Sequence, residues 1–317
     1  MFVPPRKHRS LATLWRTAHH YTTPRGPGRS QHNSRFLSSV APPLQCQVAV
    51  VGGGIIGTSV AYHLAKLGVE NVCLFERNKL TSGTTWHAAG LMNSYGSMSS
   101  TSTWMRRYTQ ELYRDILPQE TGLDTGWMEI GFIELACDLD RLEAFRRTAA
   151  FNRFVGVDVT EISADEAGQR FPLLETSDIL AGFYVPTDGR ANPTDATMAL
   201  AKGARQLGVT ILEDTPVVGV MTRTPLVGVP VVTGVELADG TGVPANVVVN
   251  CTGMWARQFG QACGVHNLPN QAAEQCVFGA LRLYHLLGVL THFSLYTTLA
   301  ALFLSQLLSH YRRHSWG

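Results

Sequence analysis

Near one end of the chain, Gly52-Gly53-Gly54-Ile55-Ile56-Gly57 has the G-x-G-x-x-G spacing, and its flanks narrow the fold. Val48, Ala49, Val50 and Val51 form a short apolar run, as a buried parallel strand does. Thr58 to Leu67 predicts a helix, with Val60, Ala61, Leu64 and Leu67 at helical spacing and Gly68 as its stop. Asn71 to Glu76 predicts a second strand. Strand, glycine turn, helix and strand within about 30 residues open a doubly wound α/β sheet, whose parallel strands need a right-handed crossover.

This spacing also has a chemical use. The first glycine makes a tight turn, the second lets backbone approach a pyrophosphate, and the third brings helix and strand close. The helix aims its N-terminal amides and positive dipole end at the phosphates. Glu76, 19 residues after Gly57, ends the second strand, where a carboxylate accepts hydrogen bonds from ribose hydroxyls. Gly52, Gly54, Ile55, Ile56, Gly57, Glu76 and Arg77 are therefore expected to hold the ADP half of a dinucleotide. An acid at this position disfavours a ribose 2′-phosphate, and so NADP; spacing alone leaves FAD and NAD both open.

Leu80 to Gly90 reads LTSGTTWHAAG. Small residues let backbone pass close to a ligand, and the hydroxyls of Thr84 and Thr85 offer hydrogen bonds. His87 follows Trp86 in this glycine-bounded loop. On spacing alone it reads as a partly buried histidine bonded to backbone.

Downstream, Thr103 to Glu120 predicts a helix with Trp104, Tyr108, Leu112 and Ile116 on one face. Gly131 to Ala136 predicts a strand and Asp140 to Phe154 a charged helix; Ser163 is placed to cap another helix. Asp195 to Leu207 predicts a helix ending at Gly208. Val209–Glu213, Val217–Thr222, Val231–Leu237 and Val247–Cys251 predict strands, with Asp239-Gly240 as a turn. Arg106-Arg107 and Arg146-Arg147 read as solvated helix faces. Asp188-Gly189 and Asn192-Pro193 read as structural turns, and Trp255 as core.

The net charge of +2 hides an uneven distribution. Residues 1–45 hold six Arg, one Lys and no acid; without these seven, nineteen basic residues face twenty-four acidic ones, a balance of −5. A nucleic-acid partner is not expected from such a distribution. Leu11, Leu14, Trp15 and Ala18 share a helical face near Arg9 and Arg16, which reads as a mitochondrial presequence; a disordered basic tail is the other reading. The six cysteines show no C-x-x-C and no metal-ligand spacing, in keeping with a reducing compartment and no metal site.

Six segments carry a resemblance: VVGGGIIGTSVAYHLAKLG, LTSGTTWHAAGL, ETGLDTGW followed by GFIELA, RFPLL, FYVPTDGRANP and VVVNCTGMWA. Through them, residues 46–274 resemble the FAD domain of mitochondrial sarcosine and dimethylglycine dehydrogenases, within the D-amino-acid-oxidase-like superfamily. The resemblance implies FAD and assigns its contacts to Thr84, Thr85, Gly90, Leu91, Val217, Thr252 and Gly253. It also implies a covalent bond between His87 and the flavin 8α-methyl group. A related regulatory subunit of pyruvate dehydrogenase phosphatase lacks this histidine. The implied fold is α/β: a Rossmann-type FAD-binding domain with an incomplete mixed-sheet substrate domain. The expected boundaries are 1–45 presequence, 46–125 and 195–274 FAD-binding domain, 126–194 substrate domain, and 275–317 a divergent apolar tail.

That tail departs from the family pattern. Leu281 to Leu308 is nearly uncharged and long enough to cross a bilayer, but Gly288, Thr291, His292, Ser294, Thr297 and Thr298 interrupt it. It reads as an isoform-specific or truncated end rather than a membrane anchor. By resemblance the chain is expected to be an FAD-dependent oxidoreductase of the mitochondrial matrix that demethylates N-methyl glycines. Electron-transfer flavoprotein would be its oxidant, and folate a ligand only of full-length relatives. The missing substrate-facing strands make an inactive chain one expectation, and a non-catalytic regulator is the alternative. No residue stands out as the general base.

Overall fold

The structure is a computed structural model in which residues 42–226 and 228–270 are described. The expected presequence, up to residue 41, and the apolar tail lie outside the described residues. Cys46–Val51 forms β1, with Val48 and Val50 buried in one core and Ala49 and Val51 in another. Both faces are covered, as an interior parallel strand requires. β2 (Val72–Phe75) pairs parallel with it on one side, and β12 (Gly242–Asn250) on the other. β9 (Thr210–Leu212) extends the sheet beyond β2; β11 (Val231–Leu237) and β10 (Val217–Arg223) extend it antiparallel beyond β12. The order is β10-β11-β12-β1-β2-β9, a mixed six-stranded sheet.

Helix α1 (Ile55–Lys66) starts three residues before the predicted Thr58, because the extended Gly54 is its N-cap and the isoleucines fall in its first turn. It buries Gly57, Thr58, Ala61 and Tyr62. Helix α6 (Pro193–Gln206) lies against it, capped by the Asn192 side chain, which accepts the Thr194 and Asp195 amides. A Cβ on Gly203 of α6 would sit 2.9 Å from the Tyr62 ring, so that glycine sets the approach of the two helices. Lys66 Nζ donates to Tyr62 Oη and to Glu120 Oε1, both at 2.8 Å, which locks α1 to α3 (Leu117–Thr121). Burial lowers the Lys66 pKa, but these two bonds raise it further, to about 12.

The predicted helix over 103–120 spans α2 (Ser100–Glu111), a π-helical segment over Leu112–Ile116, and α3. Positions four apart drift by about 40° per step around a helix, so Trp104 ends up about 80° from Leu112 and off its face, while the wider turn rotates only the residues beyond Leu112. Leu112 is buried, whereas Trp104 is 66% exposed and stacks on Tyr108. Two small antiparallel sheets complete the fold. One is β3 (Leu91–Met92), β8 (Gly189–Arg190) and β4 (Met128–Glu129), in the order β3-β8-β4. The other is β5 (Phe132–Ala136), β7 (Ala181–Val185) and β6 (Thr160–Ile162), in the order β5-β7-β6, covered by α4 (Leu139–Phe154). Ser163 and Glu166 close the capping box of α5 (Ala164–Arg170), and α7 (Ala256–Ala262) comes after β12. Among the described residues no helix is long and apolar enough to cross a membrane.

Asp188 is fully buried beside the small sheets. It accepts from Ser94 N–H at 2.9 Å, Ser94 Oγ at 2.6 Å and Gln110 Nε2 at 2.8 Å. Burial raises its pKa, and these donors oppose the rise. The TDG turn is thus a buried anchor. Of the arginine pairs, Arg106 donates to the Tyr95 carbonyl at 2.8 Å, while Arg146 and Arg147 lie on an exposed helix face, where Arg146 pairs with Glu161 at 2.7 Å.

Candidate cofactor site

The parallel strands end together at the C-terminal edge of the sheet, where open α/β sheets bind ligands. Here β1 runs into Gly52, which has φ +114°, a value glycine alone adopts readily. A Cβ on Gly52 would lie 2.4 Å from the Cys251 carbonyl oxygen, and one on Gly57 would lie 1.8 Å from the Gly52 carbonyl oxygen. The turn is therefore pressed between the end of β12 and the first turn of α1. It leaves a cleft of about 210 Å³.

Glu76 sits at the lip of β2. Its Oε2 accepts Gly53 N–H at 2.6 Å and its Oε1 accepts Asn78 N–H at 2.9 Å. The carboxylate is thus held against the glycine turn, and each oxygen keeps a lone pair for a ribose hydroxyl. Helix α1 has no acidic residue in its first turn, so no side chain there offsets the positive end of its dipole. A turn with no room for side chains, a helix N-terminus and a fixed carboxylate fit a diphosphate joined to a ribose.

Among the residues singled out from sequence, Gly52, Gly54, Glu76, Arg77, Thr84, Thr85, Val217, Thr252 and Gly253 converge on this cleft. Ile55, Ile56, Gly57, His87, Gly90 and Leu91 do not form its walls. Ile55 gives its amide to Thr85 Oγ1 at 3.0 Å, and Ile56 is 63% exposed. Gly57 acts by its lack of a side chain. Gly90, at φ +73°, passes so close to Ala191 that a Cβ would lie 2.1 Å from that residue's carbonyl oxygen. Leu91 pairs with Arg190 in the β3-β8 ladder.

His87 ends a 3-10 turn, Thr85–His87, that begins at the cleft wall. It is exposed rather than partly buried, and its ring lies 3.6 Å from that of Trp86. Trp255, read as core, is instead a cleft wall: the Arg77 guanidinium lies 4.1 Å from its ring centroid. Ser82, Gly83, Gln258 and Phe259 also line the cleft and were missed. Gly83 could have been found from its place in TSGTT, since its bare Cα faces the Trp255 ring. Among the described residues no cluster of His, Cys, Asp or Glu could hold a metal ion.

A glycine cradle, an acid at the end of the second strand and a mixed sheet are the marks of a dinucleotide-binding domain. The family described as FAD dependent oxidoreductase (DAO) matches residues 47–280, and the chain belongs to it. It is 37% identical to human mitochondrial sarcosine dehydrogenase over 77% of the chain and 26% of that protein. It is 37% identical to mitochondrial dimethylglycine dehydrogenase of Rattus norvegicus, over 70% of the chain and 25% of that protein. It is also 38% identical to the mitochondrial pyruvate dehydrogenase phosphatase regulatory subunit of Mus musculus, over 73% of the chain and 26% of that protein. The chain thus spans about a quarter of the length of these relatives. Among solved structures, L-proline dehydrogenase from P. horikoshii matches with TM-score 0.64 and 28% identity, over 71% of this chain and 57% of that one. FAD is accordingly the cofactor for which the cleft is built.

Proposed function

We propose that the chain is the FAD-holding part of an amine dehydrogenase for small N-methylated amino acids of the sarcosine and dimethylglycine class. The observation that carries this is the joining of two features: the cradle at Gly52–Gly57 with Glu76, and an exposed His87 one short turn from the cleft. Bound FAD would supply the two-electron acceptor. The chain's part is to hold the ADP end through Gly52, Gly54, Glu76, Thr84, Thr85 and Gly253, and the flavin end through His87 as a covalent attachment point. Two arguments support the proposed division, with 46–125 and 195–274 as cofactor domain and 126–194 as substrate domain. All six strands of the large sheet come from the first two segments, and β5, β6 and β7 from the third. The proposed location is the mitochondrial matrix, with electron-transfer flavoprotein as the proposed oxidant; the mitochondrial names of the relatives support the organelle.

The test is flavin attachment. Purified chain incubated with FAD should keep its yellow colour through acid precipitation. His87→Ala should lose the acid-stable colour and keep reversible FAD binding. A wild-type chain that takes up no flavin would sink the enzyme reading. The second reading, a non-catalytic regulator, is favoured by the 38% identity to the phosphatase subunit. It predicts reversible or absent flavin and no dye reduction with sarcosine or dimethylglycine.

A further inference from the structure

Helix α1 begins at Gly54, which has no side chain to cap it. The amide of Ile55 is satisfied instead from thirty residues away, by Thr85 Oγ1 at 3.0 Å. Thr81, held at φ +69°, donates its N–H to the Gly53 carbonyl at 3.1 Å. The Thr81–Thr85 loop is thus fastened at both ends to the glycine turn.

Thr85 is 6% exposed and lines the cleft. A hydroxyl has one proton to donate and two lone pairs to accept with. The oxygen is engaged by Ile55, while the proton has no acceptor among the described residues. A buried O–H on a cleft-lining residue, beside the Gly54 turn and a helix N-terminus, is complementary to a phosphate oxygen. Thr85 also opens the 3-10 turn that ends at His87, closed by Ala88 N–H to the Thr85 carbonyl at 3.1 Å. A displacement of Thr85 therefore moves His87.

Resting on the cofactor reading above, we propose that Thr85 is a positioning residue that couples diphosphate binding at the glycine turn to the orientation of the His87 turn. Its oxygen keeps the Ile55 amide while its proton goes to a diphosphate oxygen. One ligand then fixes both segments, and the attachment histidine is set only when the ADP end is seated.

ADP is the probe, because it fills the phosphate end and leaves the flavin end free. Calorimetry and amide hydrogen exchange are run on the full chain, on Thr85→Val, which keeps the shape without the hydroxyl, and on Thr85→Ser. In the wild type, ADP should slow exchange at residues 52–58 and also at 84–88. Thr85→Val should bind ADP roughly tenfold or more weakly, the loss of a hydrogen bond to a charged group. It should also lose the slowing at 84–88, and Thr85→Ser should restore both. Three results overturn the proposal alone: ADP that protects 52–58 but not 84–88 in the wild type, a Thr85→Val that matches wild type, or a Thr85→Ser that restores nothing. The first needs no variant to fold. Wild-type chain that binds no ADP at all overturns the cofactor reading, and this proposal with it.

Discussion

Gly57→Ala and Gly68→Ala add the same methyl group near opposite ends of α1, and the structure separates their consequences. At Gly57 the new carbon would lie 1.8 Å from the Gly52 carbonyl oxygen and 3.4 Å from Cys251 Cβ. A carbon–oxygen contact needs about 3.3 Å, so the backbone must part by roughly 1.5 Å. The obstacle is main chain pressed against Cys251, with no flexible side chain to swing aside. Overpacking of this kind costs about 1–3 kcal/mol. At Gly68 a Cβ meets nothing within 4 Å, but φ is +86°, so alanine there carries the left-handed penalty of about 1–2 kcal/mol. The two variants should therefore lose similar stability in urea unfolding, while only Gly57→Ala displaces the phosphate-facing amides. Losing one charge-assisted hydrogen bond of about 1.5–3 kcal/mol weakens ADP roughly tenfold or more. Titration of ADP should show that loss for Gly57→Ala and near wild-type affinity for Gly68→Ala. Wild-type affinity in Gly57→Ala, or an equal loss in Gly68→Ala, would refute the geometric reasoning.

Glu76→Gln leaves one oxygen to serve two backbone donors, so the amide nitrogen must face Gly53 N–H or Asn78 N–H. Unfolding should show a loss of about 1–3 kcal/mol, with weaker ADP binding in parallel; unchanged binding would remove Glu76 from the ribose site. Asp188→Asn should destabilise by a similar amount, because an amide cannot accept from Ser94 on both of its ends and from Gln110 as well. The Asp188 pKa is raised in the folded chain, so its contribution is full below the unfolded value of about 3.9 and is lost as pH rises through the folded one. The stability gap between wild type and Asp188→Asn should therefore widen as pH falls from neutrality. A gap that narrows would show that Asp188 is not raised.

The phosphate end of the site was legible because local chemistry dictates it. A turn with φ +114° needs glycine, a helix pressed on that turn needs another, and the acid must end the next strand. The features that stayed hidden depend on partners distant in sequence. β3, β4 and β8 are two residues each, too short for any alternation to show, and exist only through pairing with one another. β7 is buried at Ala181, Gly182, Phe183 and Val185, so it shows no polar-apolar period, and the adjoining turn residues masked it. Trp255 read as core because a large aromatic usually is; Arg77, far away in the chain, makes it a cleft wall. The cap of α1 was invisible for the same reason, since Thr85 supplies it across thirty residues. The Trp104 face failed because an i, i+4 row drifts by about 40° per step, which carries Trp104 off the face of Leu112; the π-helical turn over Leu112–Ile116 affects only the residues after it.

The most direct test of the cofactor site is competition between ADP and FAD for the full chain carrying His87→Ala, in which FAD stays reversible, monitored by flavin fluorescence at equilibrium. If the Gly52–Gly57 cradle and Glu76 hold the ADP half, FAD binds saturably at a single site and prior addition of ADP blocks its uptake. FAD uptake indifferent to ADP, or no uptake at all, would contradict the assignment of this cleft.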